Sequence, residues 1–250
     1  MSRPYVRKNR GFTLLEVLIT AAISSVMVFA LIGGATGFFS RDSQEQQKIA
    51  TQQRLRLVSN VLANDVRRAG YIYRSADLQT IVDKVSGGVN LKGTGMASKL
   101  ALLIPDVDQV SNPGKFRLVI YALGPVPETA PFNVIKSLVG KVIYRWYSLP
   151  ADFDPVAQTG NGKVPTQLDG NFLTYGDTAA VVPPLLTGNI DSLMLDPAGT
   201  YGSSASSVKV NIQASRGSDL TLTGAPLQLN LLLQPRNLGV PAVPLPPTIL

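Results

Sequence analysis

Hydrophobic positions fill the chain from Phe12 to Phe39 almost without a break, and over that stretch only Glu16 carries a charge. At 1.5 Å per residue a helix of that length extends roughly 42 Å. This exceeds the roughly 30 Å hydrocarbon core of a bilayer, so the pattern predicts a transmembrane helix over residues 12–39. From Ser40 the composition turns polar (RDSQEQQK), yet Ile49, Leu55, Val58, Leu62, Val66 and Ala69 recur at helical spacing, the stripe of an amphipathic helix over residues 40–70. No proline falls between residues 12 and 70, so both patterns read as one helix. Its span from Phe12 to Ala69 is roughly 87 Å, with Gly70 as the expected C-cap. Gly33, Gly34 and Gly37 are its weak point, each costing about 1 kcal/mol against alanine. Local melting and close helix packing both account for them.

After Gly70 the period changes to two. LALLIP (100–105) reads as a short buried strand, and FRLVIYAL (116–123) follows a turn signalled by Asn112, Pro113 and Gly114. KVIYRWYS sets Val142, Tyr144 and Trp146 against Lys141, Ile143, Arg145 and Tyr147; VKVNIQAS (208–215) and LQLNLLLQ (227–234) alternate likewise. Such alternation predicts half-buried antiparallel strands. Residues 149–189 and 196–206 read as irregular loops, and the proline-rich end, 239–250, as an extended tail. The expected fold class is α+β, a long N-terminal helix packed on an antiparallel sheet. Its parts are a leader (1–11), the membrane helix (12–39), the amphipathic helix (40–70), a β-rich head (71–238) and the tail.

Composition narrows the chemistry. The chain of 250 residues has no cysteine, which excludes a disulfide framework, a thiol nucleophile and a cysteine-based metal site. It has no histidine either, which removes the commonest general base and most zinc or haem ligation. The expectation is a protein without catalytic residues or cofactor. The formal net charge of +7 is concentrated at the start, where Arg3, Arg7, Lys8 and Arg10 stand without an acid. The excess elsewhere is mild and hardly argues for nucleic acid. The cluster instead matches the positive flank that stays on the cytoplasmic side of a spanning helix.

Glu16 is the residue that a plain membrane anchor leaves unexplained, because a carboxylate facing lipid costs at least about 2.5 kcal/mol. GGATG (33–37) resembles the small-residue cleavage site of a secretory signal, but the apolar stretch before it is longer than such a signal ordinarily has. Around Glu16 the sequence, Gly11, Phe12 and then TLLEVLIT, resembles the prepilin motif of type IV pilins and of type II secretion pseudopilins. The resemblance implies cleavage by prepilin peptidase between Gly11 and Phe12, N-methylation of Phe12, and a pairing of Glu16 with the amino terminus of a neighbouring subunit during assembly. Cleavage creates an α-amino group that is positive at neutral pH. Glu16 lies four residues further on, one helical turn away and on the same face. Stranding one partner of such a buried pair costs roughly 3 to 5 kcal/mol. A glutamate snorkelling to the headgroups from near the helix end is the alternative reading.

NDVRRAGY (64–71), closing the long helix ahead of a β-rich head, resembles PilW-type minor pilins and, more distantly, the J-type pseudopilin. Arg67 and Arg68 are equally explained as cations at the negative end of the helix dipole. The chain departs from many pilins in lacking a cysteine pair, so core packing has to hold its head. The resemblance further implies a bacterial inner-membrane protein, N-terminus cytoplasmic, that passes into an extracytoplasmic pilus or pseudopilus. Its partners are then prepilin peptidase, major and minor pilins and the inner-membrane assembly platform.

Remaining signals are weaker. Asp106 and Asp108, with Asn112, offer oxygen ligands but lack the glycine and closing glutamate of a calcium loop. GNGK (160–163) lacks the spacing of a phosphate loop. Arg145 with Tyr144, Trp146 and Tyr147 offers a basic-aromatic patch for single-stranded DNA, although strand alternation already accounts for these residues. Arg54, Arg56, Arg67 and Arg68 form a possible DNA-facing row on the helix. The expected function is therefore a minor type IV pilin, with a J-type pseudopilin or a DNA-uptake pilin as alternatives.

Overall fold

The computed structural model describes residues 13–85, 91, 95–106, 114–126, 141–152, 174–176, 184–201, 204–215, 226–236 and 238. Two compact units divide the chain, Met1–Gln47 and Lys48–Leu250. The long helix α1 (Leu14–Arg68) supplies the described part of the first and enters the second. The second unit adds β1 (Tyr71–Ile72), α2 (Ser75–Lys84), β2 (Ala97–Pro105), β3 (Lys115–Pro125), β4 (Lys141–Tyr147), β5 (Ala151–Asp152), β6 (Pro184–Ala198), β7 (Ser207–Ala214) and β8 (Leu227–Leu233). Every strand pair is antiparallel. The sheet runs in the order β1-β2-β3-β4-β6-β7-β8, and β5 pairs with β3. The α+β layout read from the periodicity is the one observed.

Both faces of this sheet carry a core. On one, Leu55, Val58, Leu62 and Val66 of α1 pack over Leu102, Val119, Tyr121, Leu193, Val210 and Ile212. On the other, Ile81 and Val82 of α2 join Leu103, Leu118, Ile120, Tyr144 and Trp146. Strands β2 and β3 are consequently buried on both sides, with unbroken buried runs Leu100–Ile104 and Leu118–Leu123. This corrects the half-buried expectation for 116–123 and explains its near-continuous apolar composition. Alternation is real in β7 and β8, where Lys209, Gln228, Asn230 and Leu232 face outward while Val208, Val210, Ile212 and Leu233 face the core.

Four further expectations are corrected. Ile49 is 51% exposed and lies outside the core; the buried stripe of α1 begins at Thr51. Gly70 is not a left-handed C-cap: its N–H already donates to the Leu103 carbonyl at 2.9 Å, so the helix passes directly into the sheet. The glycine is required because a Cβ would stand 2.7 Å from the Phe116 ring. Residues 75–84 form α2 rather than strand or loop, since Leu78, Ile81, Val82 and Val85 recur on one helical face. Strand β6 occupies parts of both stretches read as loops; its Pro184, Gly188 and Pro197 disguise it locally, and pairing with β4 and β7 overrides them. The short β5 likewise lies inside 149–189.

The end of α1 is secured from two directions. The Arg67 carbonyl, one of the last four that a helix leaves without an internal partner, accepts the Arg236 N–H at 2.9 Å. Arg68 donates through Nη2 to the Pro105 carbonyl at 3.1 Å. The turn expected before β3 is represented by Gly114, whose φ of 74° is the left-handed conformation that glycine adopts freely.

Candidate functional site

The segment that carries the prepilin-like motif begins at the edge of the described residues. Gly11, Phe12 and the basic Arg3, Arg7, Lys8 and Arg10 lie outside them. Thr13 is the first described residue, and it caps α1. Its carbonyl accepts the N–H groups of Glu16 and Val17 at 3.0 and 3.2 Å, and its Oγ1 accepts the Glu16 N–H at 3.3 Å. Thr13 and Glu16 stand at the three-residue spacing of a capping box, a local signal that the motif-level reading passed over. Glu16 therefore sits in the first turn, where the positive end of the helix dipole favours an anion.

From Leu14 to Phe39 the large apolar side chains of α1 have no cover among the described residues. Leu14 is 82% exposed, Phe29 75% and Phe38 70%. At roughly 25 cal/mol per Å² of apolar surface, a helix dressed this way is strongly driven out of water, into lipid or against other helices. It is the one helix among the described residues long and apolar enough to cross a membrane. Three hydroxyls of this stretch bond within the helix: Thr20 donates to the Glu16 carbonyl, Ser25 to Ala22 at 2.8 Å and Thr36 to Gly33 at 3.0 Å. The helix runs unbroken through Gly33, Gly34 and Gly37, and a Cβ at any of them meets nothing within 4 Å.

In the second unit, one buried charge fixes α1 to the sheet. Asp65 accepts Arg145 Nε at 2.6 Å, Arg145 Nη2 at 3.2 Å and the Tyr121 hydroxyl at 2.6 Å. Burial, then the adjacent Asp65 charge, pushes the Tyr121 phenol well above its ordinary range. Burial disfavours the Arg145 cation, but the hydrogen bonds and charge of Asp65 outweigh it and hold the guanidinium firmly protonated. Tyr144, whose hydroxyl donates to the Pro125 carbonyl, is pushed up to about 12 by burial.

These contacts take apart the proposed DNA patch. Tyr144 and Trp146 are buried on the α2 side of the sheet, while Arg145 is paired on the α1 side, so no common surface presents them. The arginine row on α1 is similarly broken, because Arg68 is directed to Pro105 of β2. Asp106 is buried and accepts Arg117 Nε, so its carboxylate pairs with a guanidinium. Asp108, Asn112 and residues 160–163 lie outside the described residues. Among the described residues no group of three or more acidic side chains is arranged to hold a metal ion.

Residues 6–32 match the family model of the prokaryotic N-terminal methylation motif. No curated protein and no solved structure matches the chain. The matched stretch contains Gly11, Phe12 and Glu16 and continues into the uncovered apolar helix. In its N-terminal segment the chain is thus similar to type IV pilin-like proteins, pseudopilins included.

Proposed function

We propose that the chain is a minor type IV pilin, a structural subunit that takes part in initiating and assembling a pilus through its N-terminal helix. The observation that carries this reading is the methylation motif over residues 6–32, which runs into α1, whose exposed apolar part over residues 14–39 has a single acid, Glu16, in the first turn. Prepilin peptidase removes residues 1–11, with Arg3, Arg7, Lys8 and Arg10 held on the cytoplasmic side, and methylates the new amino terminus at Phe12. Residues 12–39 hold the subunit in the inner membrane until the assembly platform passes it to the growing fibre.

The first turn then has two demands on it. The Glu16 N–H is capped by Thr13, and Glu16 supplies the negative charge that the dipole favours. In hydrocarbon that carboxylate remains costly until a cation arrives. The α-amino group of an adjacent pilin is such a cation, so docking neutralises two charges that are each unfavourable in lipid. The head presents the contacts with other minor pilins. Incorporation tests the reading: sheared fibres from cells producing the chain should contain its mature form, and its exclusion from fibres that otherwise assemble would count against a pilus role. The same motif also serves a J-type pseudopilin, for which the fibre fraction would come from a type II secretion system.

A further inference from the structure

Two arginines of the second unit approach one aromatic ring. The guanidinium carbons of Arg117 and Arg145 each lie 5.8 Å from the centroid of Tyr147. They line a cleft of about 430 Å³ whose remaining walls are Ile104, Pro105, Val119 and Gly176, with Asp106 at its base.

Charge in this cleft is layered. Arg117 donates through Nε to Asp106, and Arg145 donates twice to Asp65. The two carboxylate side chains are 1% and 4% exposed, whereas the arginines remain 24% and 26% exposed. The carboxylates thus lie behind the forks, and the cleft meets solvent with donors. A guanidinium has five N–H groups. Arg117 gives one to Asp106 and one to the Ser148 carbonyl at 3.1 Å, and Arg145 gives two to Asp65 with the Tyr121 hydroxyl beside them. Both forks therefore keep N–H groups without an acceptor among the described residues. Anchoring α1 and the end of β2 explains the donors given to Asp65 and Asp106 and leaves the unused ones unexplained.

We propose that this cleft binds a carboxylate on an aliphatic stem, the side chain of an aspartate or glutamate on a partner subunit. The free edges of Arg117 and Arg145 hold the oxygens, a planar match that guanidinium makes well. The half-buried Pro105 and the ring of Tyr147 flank the methylene stem. Because Asp65 and Asp106 already balance the two cations, the site offers hydrogen-bond donors rather than net charge, and a monoanion is opposed less than a dianionic phosphate. The carboxylate chemistry stands on the cleft alone, while its origin in a partner subunit rests on the pilin reading.

The test uses the full chain in detergent micelles and follows the arginine Nε–H signals by NMR, assigned with Arg117→Lys and Arg145→Lys. N-acetylglutamate amide should shift both signals saturably, and N-acetylglutamine amide at matched ionic strength should bind about tenfold more weakly or worse. Arg117→Lys, with an otherwise unchanged amide spectrum, should weaken the acid by a further factor of about five, since it keeps the charge and loses the fork. Equal shifts from the amide form or from sodium chloride would overturn the site. A stronger response to inorganic phosphate would overturn the carboxylate assignment, and butyrate binding as tightly as the acetylated amino acid would overturn the protein source. None of these outcomes depends on leader cleavage, which is read separately from the mass of the N-terminus.

Discussion

Asp65 of α1 and Arg145 of β4 meet in a two-pronged ion pair, at 2.6 and 3.2 Å, between residues eighty positions apart in sequence. Asp65 is almost fully buried, so its charge depends on that fork and on Tyr121. Replacing Arg145 by methionine leaves the carboxylate uncompensated and should cost roughly 3 to 5 kcal/mol. Urea denaturation of the full chain in micelles measures this; a loss below about 1 kcal/mol, the range of an exposed pair, would show that the pair is solvated.

The same helix offers an internal control. Leu62 is 1% exposed against the sheet and Leu57 is 52% exposed on the opposite side of α1. Leu62→Ala should destabilise by about 2 to 5 kcal/mol. Leu57→Ala should stay within about 0.5 kcal/mol of wild type in the same assay. Comparable losses at both positions would contradict the placement of α1 on the sheet.

Gly70 is constrained by its neighbour. Gly70→Ala places a Cβ 2.7 Å from Cε1 of the buried Phe116 ring, and overpacking of this kind costs about 1 to 3 kcal/mol. Adding Phe116→Leu opens the space, so the double variant should lose less than the sum of the two single changes. Simple additivity would mean that the ring and the glycine do not touch.

Alkaline pH should unfold the head through its buried phenols. Tyr121 and Tyr73 are pushed well above the ordinary value of 10.0 and Tyr144 to about 12, burial being the first cause in each. A folded-state pKa above the unfolded one means that the folded protein holds its proton longer. The resulting stability is complete below about pH 10 and is lost as pH rises from there toward the folded value. Melting temperature should therefore be insensitive to these groups between about pH 7 and 9 and fall above about 10. Tyr144→Phe should lessen the steepness of that fall, and an unchanged slope would remove Tyr144 from the account.

Glu16→Gln tests charge without changing shape. Cleavage should proceed normally, since the proposed cut lies between Gly11 and Phe12, while recovery of the variant in sheared fibres should drop about tenfold or more if the lost pairing is worth even 1.4 kcal/mol. Wild-type recovery would favour the capping-box role of Glu16 over the pairing role.

Much of this was legible in sequence because the signals were long or chemically singular. The apolar run from Phe12, the Leu55-Val58-Leu62-Val66 stripe and the alternation of β7 each repeat a period often enough to survive local noise. Strand β6 was hidden because proline and glycine punctuate it and its pairing comes from distant partners. Helix α2 is only ten residues long, so the spacing of Leu78, Ile81 and Val82 repeats too few times to stand out in a stretch dominated by strands. The ion pairs of Asp65 and Asp106 join positions that nothing local connects, so Arg145 read as part of a basic-aromatic patch and Asp106 as an oxygen ligand short of a calcium loop. Thr13 was visible in its motif and overlooked, since a capping box and a prepilin motif share the same letters.

The central claim is that the chain matures by losing its basic leader so that a methylated phenylalanine begins the helix. Intact-mass and terminal-peptide spectrometry of the protein recovered from its native membrane reads this directly. The account predicts a chain starting at Phe12, lacking residues 1–11 and heavier by one methyl group at its amino terminus; a mature protein that retains Met1 to Gly11 would contradict it.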